Sequence, residues 1–235
     1  MQNIENEILK NSEDWKFDEK VSMIFDYHVN KSIPFYKELQ TTIANLSTSI
    51  LKPNSKVIDL GTATGETIYQ INKSNGNKEI SYLGIDNSIP MLEKARVKCS
   101  RIENCEFILS DIQICELPKA DLILSLFTMQ FVRPDKKYIL FEKIKNSINE
   151  NGYFIICEKI EIQNSLNDLF MKEHEKWKLN HFDYAQINNK KEKLRNVMFP
   201  ESMESTLQTL NSLGFTANTF FQWFNFIGII AKWKI

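Results

Sequence analysis

Residues 56–66 read KVIDLGTATGE, a short apolar run rich in β-branched residues that leads directly into a glycine-containing turn. A helical pattern follows the turn, and this order predicts a parallel strand whose carboxyl end binds a ligand. Gly61 and Gly65 let the backbone pass close to a ligand because neither has a Cβ. The stretch lacks the Lys-Ser/Thr of a P-loop, and Ala63 stands where a dinucleotide fingerprint has its second glycine, so a phosphate cradle is not favoured.

Acidic residues stand at the ends of the next two predicted strands. Asp86 closes ISYLGID, residues 80–86, and Asp111 follows the run CEFIL, residues 105–109. The first carboxylate can accept hydrogen bonds from two ribose hydroxyls, and the second can accept from the exocyclic amine of adenine. Either acid alone is compatible with the start of an ordinary loop. The glycine turn and the two acids in succession predict a nucleoside site without a phosphate, which is the pattern of S-adenosylmethionine (SAM) binding.

Composition favours a single α/β domain and argues against several other classes of protein. The chain has 235 residues, 43% of them hydrophobic, which is enough for one sizeable core. Its net charge of −1 gives no field of one sign, so direct nucleic-acid binding is not expected. The four cysteines have no Cys-x-x-Cys spacing and the three histidines do not join them, so neither a metal site nor a disulfide framework is expected. The polar N-terminus and the lack of a long apolar run predict a cytoplasmic protein without membrane binding.

The pattern divides the chain into a tail, an N-terminal helical region, a strand–helix core and an insertion. Residues 1–16 are predicted to be a polar tail, and residues 17–50 to form two helices with a break at Pro34. Residues 160–197 are predicted to be a charged helical insertion. Strands are predicted near residues 56–60, 80–85, 105–109, 121–126, 153–158, 215–221 and 226–232. Alternation of strands and helices predicts a mostly parallel sheet, and the short turn between the last two strands predicts that they pair antiparallel.

Several segments resemble the carboxy-S-adenosylmethionine (carboxy-SAM) synthases. They are FDEKV (17–21), SIPFY (32–36), IDNS (85–88), FTMQF (127–131), EK (158–159), LRNVM (194–198) and WFNF (223–226). The match runs in one register from about residue 17 to the C-terminus, and SIP-x-Y and FT-x-QF are not general methyltransferase features. The resemblance implies a Rossmann-like class I methyltransferase fold of seven strands, with residues 17–235 as one SAM-binding domain and residues 17–50 as a lid over the site.

The resemblance also implies an activity. The family transfers the carboxylate lost by prephenate to the methyl carbon of SAM, and the products are carboxy-SAM and phenylpyruvate. Another enzyme then uses carboxy-SAM to carboxymethylate a wobble uridine in tRNA; supply of a natural-product pathway is a second possible role. The expected ligands are therefore SAM, carboxy-SAM or S-adenosylhomocysteine, together with a small anionic substrate such as prephenate. A homodimer is expected.

Matched by position, the family's cofactor contacts fall on residues at the strand ends and on the first helical segment. Two residues are added to these contacts: Gly65 from the glycine turn, and Leu126, which directly precedes FTMQF. The predicted cofactor-binding residues are therefore Tyr36, Gly61, Thr62, Ala63, Gly65, Asp86, Asn87, Asp111, Ile112 and Leu126.

Two positions depart from the family pattern. An Arg that is thought to reach the carboxylate of carboxy-SAM from the partner subunit is Lys191 here, and the Asn that commonly precedes FT-x-QF is Leu126. Lys cannot reproduce the two parallel hydrogen bonds of an Arg. Arg195 lies four residues beyond Lys191 on the same helical face and is a candidate substitute. Lys191 and Arg195 are the predicted catalytic residues; the alternative is a solvated basic face.

These departures keep two other functions open. The chain is alternatively an ordinary SAM-dependent methyltransferase for a small molecule, or a SAM-binding subunit without activity. The sequence also leads to expectations for Glu158 and His174. Glu158, at the end of the fifth strand, is expected to point towards the mouth of the pocket, where it would act as a base, contact the substrate or cap the next loop. His174 lies among charged residues of the insertion and is expected at the surface.

Overall fold

Seven strands form one twisted sheet in the part of the chain that the structure, a computed structural model, describes: residues 17–76, 78–162 and 165–234. The predicted tail at residues 1–16 lies outside this part. The strands are β1 (Lys56–Leu60), β2 (Ser81–Asp86), β3 (Cys105–Leu109), β4 (Ala120–Leu126), β5 (Ile148–Lys159), β6 (Phe215–Trp223) and β7 (Phe226–Trp233). Their order across the sheet is β3-β2-β1-β4-β5-β7-β6.

The sheet is parallel from β3 to β5, and β7 enters antiparallel between β5 and β6. Both the mostly parallel sheet and the antiparallel pairing of the last two strands were predicted, and both are confirmed. Because β1 to β5 run in the same direction, the turns that follow them meet at one edge. The glycine turn and both predicted acids lie at this edge.

Helices cover both faces of the sheet. They are α1 (Glu19–Ser32), α2 (Tyr36–Ile50), α3 (Glu66–Asn75), α4 (Ile89–Lys98), α5 (Pro134–Ser147), α6 (Asn167–Lys178), α7 (Tyr184–Arg195) and α8 (Met203–Ser212). Alternate residues of β1 face opposite layers: Val57 packs with α2 and α3, whereas Ile58 and Leu60 pack with α5 and α8.

The N-terminal helix is fixed to the strand ends by polar contacts. Asp18 caps α1 by accepting a hydrogen bond from the backbone N–H of Val21 at 2.9 Å. Lys98 at the end of α4 bridges Asp26 of α1 at 2.7 Å and Glu66 of α3 at 2.6 Å. Ser88 donates a 2.5 Å hydrogen bond to the carbonyl of Phe17. These contacts hold α1 beside the turns after β1 and β2.

A partly buried ion pair fixes the segment that follows the insertion. Lys137 of α5 is 3% exposed; its Nζ donates to the carbonyl of Phe199 at 2.7 Å and lies 3.2 Å from the Glu201 carboxylate. Glu158 is buried on the same side of the sheet, where it accepts a hydrogen bond from Thr206. Burial raises the pKa of Glu158 to about 7, and the charge of Lys137 opposes that rise. The expectation that Glu158 points towards the pocket mouth is therefore wrong: it belongs to the layer of α5 and α8.

We expect Lys137→Met to lower the free energy of unfolding by about 3 kcal/mol, since it removes the charge that compensates two carboxylates and leaves the Phe199 carbonyl without its donor. Lys136→Met is the matched control, because Lys136 is an exposed residue of the same helix. Denaturant unfolding of both variants measures the difference. Equal stability of the two variants would contradict the anchoring role of Lys137.

Candidate active site

A cavity of about 880 Å³ opens at the carboxyl ends of the parallel strands. Its floor comes from the turns after β1, β2, β3 and β4, and its walls come from α1, α6 and α7. Nine of the ten predicted cofactor-binding residues line it: Tyr36, Gly61, Thr62, Ala63, Asp86, Asn87, Asp111, Ile112 and Leu126. Lys191 and Arg195 line the same cavity. The structure therefore brings residues from both halves of the sequence to one site.

Gly65 is the tenth predicted cofactor residue, and it lies behind the cavity wall. It precedes α3 with φ +75°, and a Cβ there would meet the Cβ of Ala95 at 3.1 Å and the Sγ of Cys99 at 3.2 Å. Glycine at this position thus allows α3 to pack closely on α4.

The glycine turn is held in place by the end of β2. The backbone N–H groups of Gly61 and Thr62 both donate to the carbonyl of Ile85, at 2.8 and 3.0 Å. Asp86 accepts from the N–H of Ala63 at 2.9 Å through one carboxylate oxygen and from the N–H of Ser88 at 2.9 Å through the other. A carboxylate has about four acceptor sites, so each oxygen keeps capacity for a further donor such as a ribose hydroxyl.

Position 61 requires glycine for two reasons: its backbone conformation and the close approach of a side chain from another segment. Its φ is +74°, and a Cβ would overlap the side chain of Thr128, which follows β4. Ala63 also adopts a left-handed conformation, with φ +47°. Such strain in a non-glycine residue is typical of a functional turn.

The second predicted acid is arranged by a local turn. Asp111 accepts a 2.8 Å hydrogen bond from the N–H of Gln113, and the N–H of Ser110 donates to the carbonyl of Asp86 at 2.9 Å. The turns after β2 and β3 are thereby joined. The N–H of Ile112 stands beside this carboxylate in the sequence, so the turn offers the acceptor and donor pair that an adenine edge needs.

Asp59 is a functional candidate that the sequence reasoning missed. It lines the cavity, is 2% exposed, and accepts a 2.9 Å hydrogen bond from the Thr62 hydroxyl. Burial raises the pKa of Asp59 to about 7, with a further contribution from the charge of Asp86. Its position inside a strand made it look like an ordinary strand residue, and the signal that could have found it was a charge in an otherwise apolar run.

Tyr36 closes the cavity from the first turn of α2. Its ring packs against Phe127 at 6.0 Å between centroids. Burial raises the pKa of the Tyr36 hydroxyl, partly offset by a hydrogen bond with Gln40, so the phenol stays protonated. Phe127, like Phe35 before Tyr36, has a positive φ. The strained backbone at Phe35 thus directly precedes Tyr36, and the strained Phe127 packs against the Tyr36 ring.

The other end of the cavity is basic. Lys191 of α7 is ion-paired with Glu175 of α6 at 2.9 Å, and Arg195 lies 3.7 Å from Glu192. Lys191 lines the cavity that its own chain forms. Leu126 lines the cavity with an apolar side chain.

His174 belongs to this basic end, and the expectation that it lies at the surface is wrong. It is 4% exposed, lines the cavity and packs against Phe226 with ring centroids 4.7 Å apart. Its charged neighbours in the sequence suggested a solvated helix, but the face of α6 that carries His174 turns inward.

The cavity fits SAM. Residues with unused acceptor capacity, Asp86 and Asp111, lie at the nucleoside end, and buried Asp59 supplies negative charge for a cationic ligand. A cavity of this volume is in the usual range for cofactor and substrate together. No group of three His, Cys, Asp or Glu side chains that could hold a metal occurs among the described residues.

Comparison with known proteins gives the same picture. A family model described as a methyltransferase domain matches residues 51–213. The carboxy-S-adenosyl-L-methionine synthase of Methylococcus capsulatus is 34% identical over 226 residues, which are 93% of this chain and 93% of that protein. The enzyme of the same name from Desulfotalea psychrophila is 36% identical over 227 residues, 94% of this chain and 92% of that protein.

The chain belongs to the carboxy-SAM synthase family. The comparisons confirm the predicted family, and they confirm the prediction that the protein is a SAM-dependent transferase. The residue roles within the site stay predictions.

Solved structures confirm the fold. A putative SAM-dependent methyltransferase from Methanococcus maripaludis has a TM-score of 0.63 at 18% identity, over 96% of this chain and 97% of its own. Phosphoethanolamine N-methyltransferase 2 of Haemonchus contortus, in complex with phosphomonomethylethanolamine and S-adenosylhomocysteine, has a TM-score of 0.64 at 14% identity, over 92% of this chain and 57% of its own. The described residues contain no helix long and apolar enough to cross a membrane.

We expect Asp86→Ala to weaken SAM binding by about 1–3 kcal/mol, because the variant loses the ribose acceptor and frees the Ala63 N–H that shapes the turn. Titration calorimetry measures the loss. Asp135→Ala, at an exposed position of α5, is the matched control and should bind SAM like the parent. Unchanged affinity in Asp86→Ala would place the nucleoside elsewhere.

The raised pKa of Asp59 leads us to expect that SAM affinity depends on pH. The sulfonium of SAM favours the ionised carboxylate, so affinity should be highest above about pH 7 and fall as the pH drops through the raised pKa of Asp59. Burial also raises the pKa of Asp86, so the change that isolates Asp59 is Asp59→Asn. Calorimetry between about pH 5.5 and about pH 8 should show a sloping profile in the parent and a flatter one in Asp59→Asn. Superimposable profiles would rule out Asp59 as the titrating group.

Proposed function

We propose that this enzyme is a carboxy-SAM synthase that takes its carboxyl group from prephenate. The observation that carries the proposal is that a nucleoside end with Asp86 and Asp111 and a basic end with Lys191 and Arg195 line one cavity. A carboxylate added to the SAM methyl group would lie between the two ends. Family membership supports the same reaction.

The reaction balances as a transfer with loss of water. In prephenate the bond between the ring and its carboxyl group breaks, and the ring hydroxyl leaves, which gives phenylpyruvate. The carboxyl carbon forms a new bond to the methyl carbon of SAM, and the proton displaced from that methyl group leaves with the hydroxyl as water. SAM supplies a methyl carbon whose protons are acidified by the neighbouring sulfonium.

The protein's own part is positioning, exclusion of water and compensation of charge. The carboxyl group must pass from donor to acceptor before it is lost to solvent, so both substrates have to share one closed space. Helix α1 and Tyr36 close that space over the strand ends, and the apolar Leu126 and Phe127 keep its centre dry. Lys191 would bind the transferred carboxylate, and Arg195 would add to the positive electrostatic potential around it.

Leu126 and Lys191 favour a second candidate, an ordinary methyltransferase for a small anionic molecule. Leu126 removes a polar contact from the site, and an ammonium binds a carboxylate with less directional specificity than a guanidinium. Such an enzyme would transfer the methyl group itself and leave S-adenosylhomocysteine. A silent SAM-binding subunit is a third candidate, although the acids at the strand ends are all present.

For the first function, we propose a homodimer that supplies carboxy-SAM for carboxymethylation of a wobble uridine in tRNA.

Mass spectrometry of the reaction products separates these functions. Incubation of the purified protein with SAM and prephenate should yield phenylpyruvate and a species heavier than SAM by one carbon dioxide. S-adenosylhomocysteine without that species would indicate methyl transfer. SAM bound and recovered intact in every condition would indicate the silent subunit.

We expect Lys191→Ala to lower the rate of carboxy-SAM formation by roughly 10- to 150-fold while SAM affinity stays nearly unchanged, because a charge-assisted hydrogen bond to the transferred carboxylate is lost at a cost of about 1.5–3 kcal/mol. Lys193→Ala removes the same charge from the same helix outside the cavity lining and serves as control. Product formation and SAM titration are measured for each variant.

Arg195→Ala tests the alternative assignment within the basic end. Loss of product in Arg195→Ala, with Lys191→Ala active, would transfer the carboxylate-binding role to Arg195. Full activity of both variants would mean that this face of α7 is solvated and takes no part in the reaction.

A further inference from the structure

The basic end of the cavity contains three groups to which neither the sequence nor the family resemblance assigns a role. They are Lys159 at the end of β5, and His174 and Lys178 on α6. His174 and Lys178 are four residues apart, so they face the same side of the helix. All three side chains line the cavity that holds Asp86 at its other end.

Within the described residues, the positive charge of the two lysines is only partly balanced. Glu175 acts on both of them, but its Oε1 is already bonded to Lys191 Nζ at 2.9 Å. Three ammonium groups therefore share one carboxylate in the described part of the chain. Burial lowers the pKa of Lys159 to about 8, helped by the charges of Lys178 and Lys191, and burial also lowers the pKa of Lys178. An anion in the cavity would relieve this repulsion.

His174 lines the same cavity and carries a buried hydrogen-bond acceptor. Its Nε2 lies 3.1 Å from the carbonyl of Ser32, which can only accept, so Nε2 carries the ring hydrogen. Burial and the nearby charges of Lys178 and Lys159 lower the pKa of His174 to about 2, so the ring is neutral. Its Nδ1 is then a bare lone pair, and this buried atom has no partner within the described residues.

Packing keeps that lone pair where it is. Trp177 stacks on the His174 ring at 6.0 Å between centroids, and Phe226 meets it edge-on at 4.7 Å. A buried acceptor without a donor costs about 1–3 kcal/mol, and such orphan atoms are rare in native proteins. The cost is removed when a ligand brings a donor.

We propose that Lys159, Lys178 and His174 form the subsite for the second substrate, a carboxylate that also carries a hydroxyl group. The two ammonium groups bind the carboxylate, and Nδ1 of His174 accepts a hydrogen bond from the hydroxyl. The subsite is separate from Lys191, whose side chain is half exposed and already ion-paired. The inference rests on the proposed function, because prephenate has this combination of groups.

Binding to protein saturated with S-adenosylhomocysteine tests the subsite without turnover, since this ligand has no methyl group to react. Prephenate is titrated and followed by calorimetry and by the fluorescence of Trp177 and Trp223, whose rings lie within 6.2 Å of His174. Lys159→Met and Lys178→Met should each weaken prephenate binding by roughly 10-fold or more. Lys172→Met, at an exposed position of α6, should leave it unchanged.

His174→Gln tests the acceptor separately from the structural role of the ring. The Gln amide N–H can replace Nε2–H as the donor to Ser32, but the variant lacks the Nδ1 lone pair. We expect roughly 5–50-fold weaker binding of prephenate and unchanged binding of phenylpyruvate, which lacks the ring hydroxyl. A purely structural histidine would give equal changes for both ligands, or none, and would overturn the assignment.

The outcomes separate this inference from the proposed function. Prephenate binding that depends on Lys159 and Lys178, without formation of carboxy-SAM, supports the subsite and refutes the proposed reaction. Carboxy-SAM formation with parental prephenate affinity in both lysine variants refutes the subsite and leaves the reaction standing. No binding of prephenate to the parent protein refutes the subsite. Should His174→Gln fail to fold, the lysine variants still decide the matter.

Discussion

The site depends on the bond between the Asp86 carboxylate and the backbone N–H of Ala63. This contact joins the end of β2 to the turn after β1 and fixes a turn in which Gly61, Ala63 and Gly65 all have positive φ. Because Gly61 has no Cβ, the side chain of Thr128 fits directly against the turn, which brings the segment after β4 to the edge of the site. One carboxylate thus shapes the cavity floor and keeps acceptor capacity for the nucleoside.

Much of this floor could be predicted from the sequence because it depends on local signals. The run of residues 56–66 predicted a strand and a ligand-binding turn, and the acids Asp86 and Asp111 followed predicted strands that the structure confirms. Contacts between distant segments were not predictable in this way. Asp59 and His174 both sit in segments whose local pattern is ordinary, and their burial is decided by helices elsewhere in the chain. Glu158 was misplaced for the same reason, since only the fold shows that it faces α5 and α8.

The two ends of the cavity have opposite electrostatic character. Asp59 and Asp86 provide negative potential at the strand ends, and Lys159, Lys178 and Lys191 provide positive potential from β5, α6 and α7. A cationic ligand and an anionic one are therefore drawn to different ends of one space, which orients two substrates before any chemistry begins. The insertion supplies two of the three lysines, Lys178 and Lys191, and Lys159 at the end of β5 completes the cluster. The insertion is also tied to α1 at Ser32, so the same helices that carry the charge help to close the site.

A crystal structure of the protein with SAM and phenylpyruvate tests this account most directly. The account predicts the ribose on Asp86, the adenine beside Asp111 and the sulfonium nearest Asp59. It also predicts the carboxylate of phenylpyruvate against the lysines of the basic end, with the methyl group of SAM between the two sites. A nucleoside bound outside the strand ends, or both ligands competing for one end of the cavity, would contradict it.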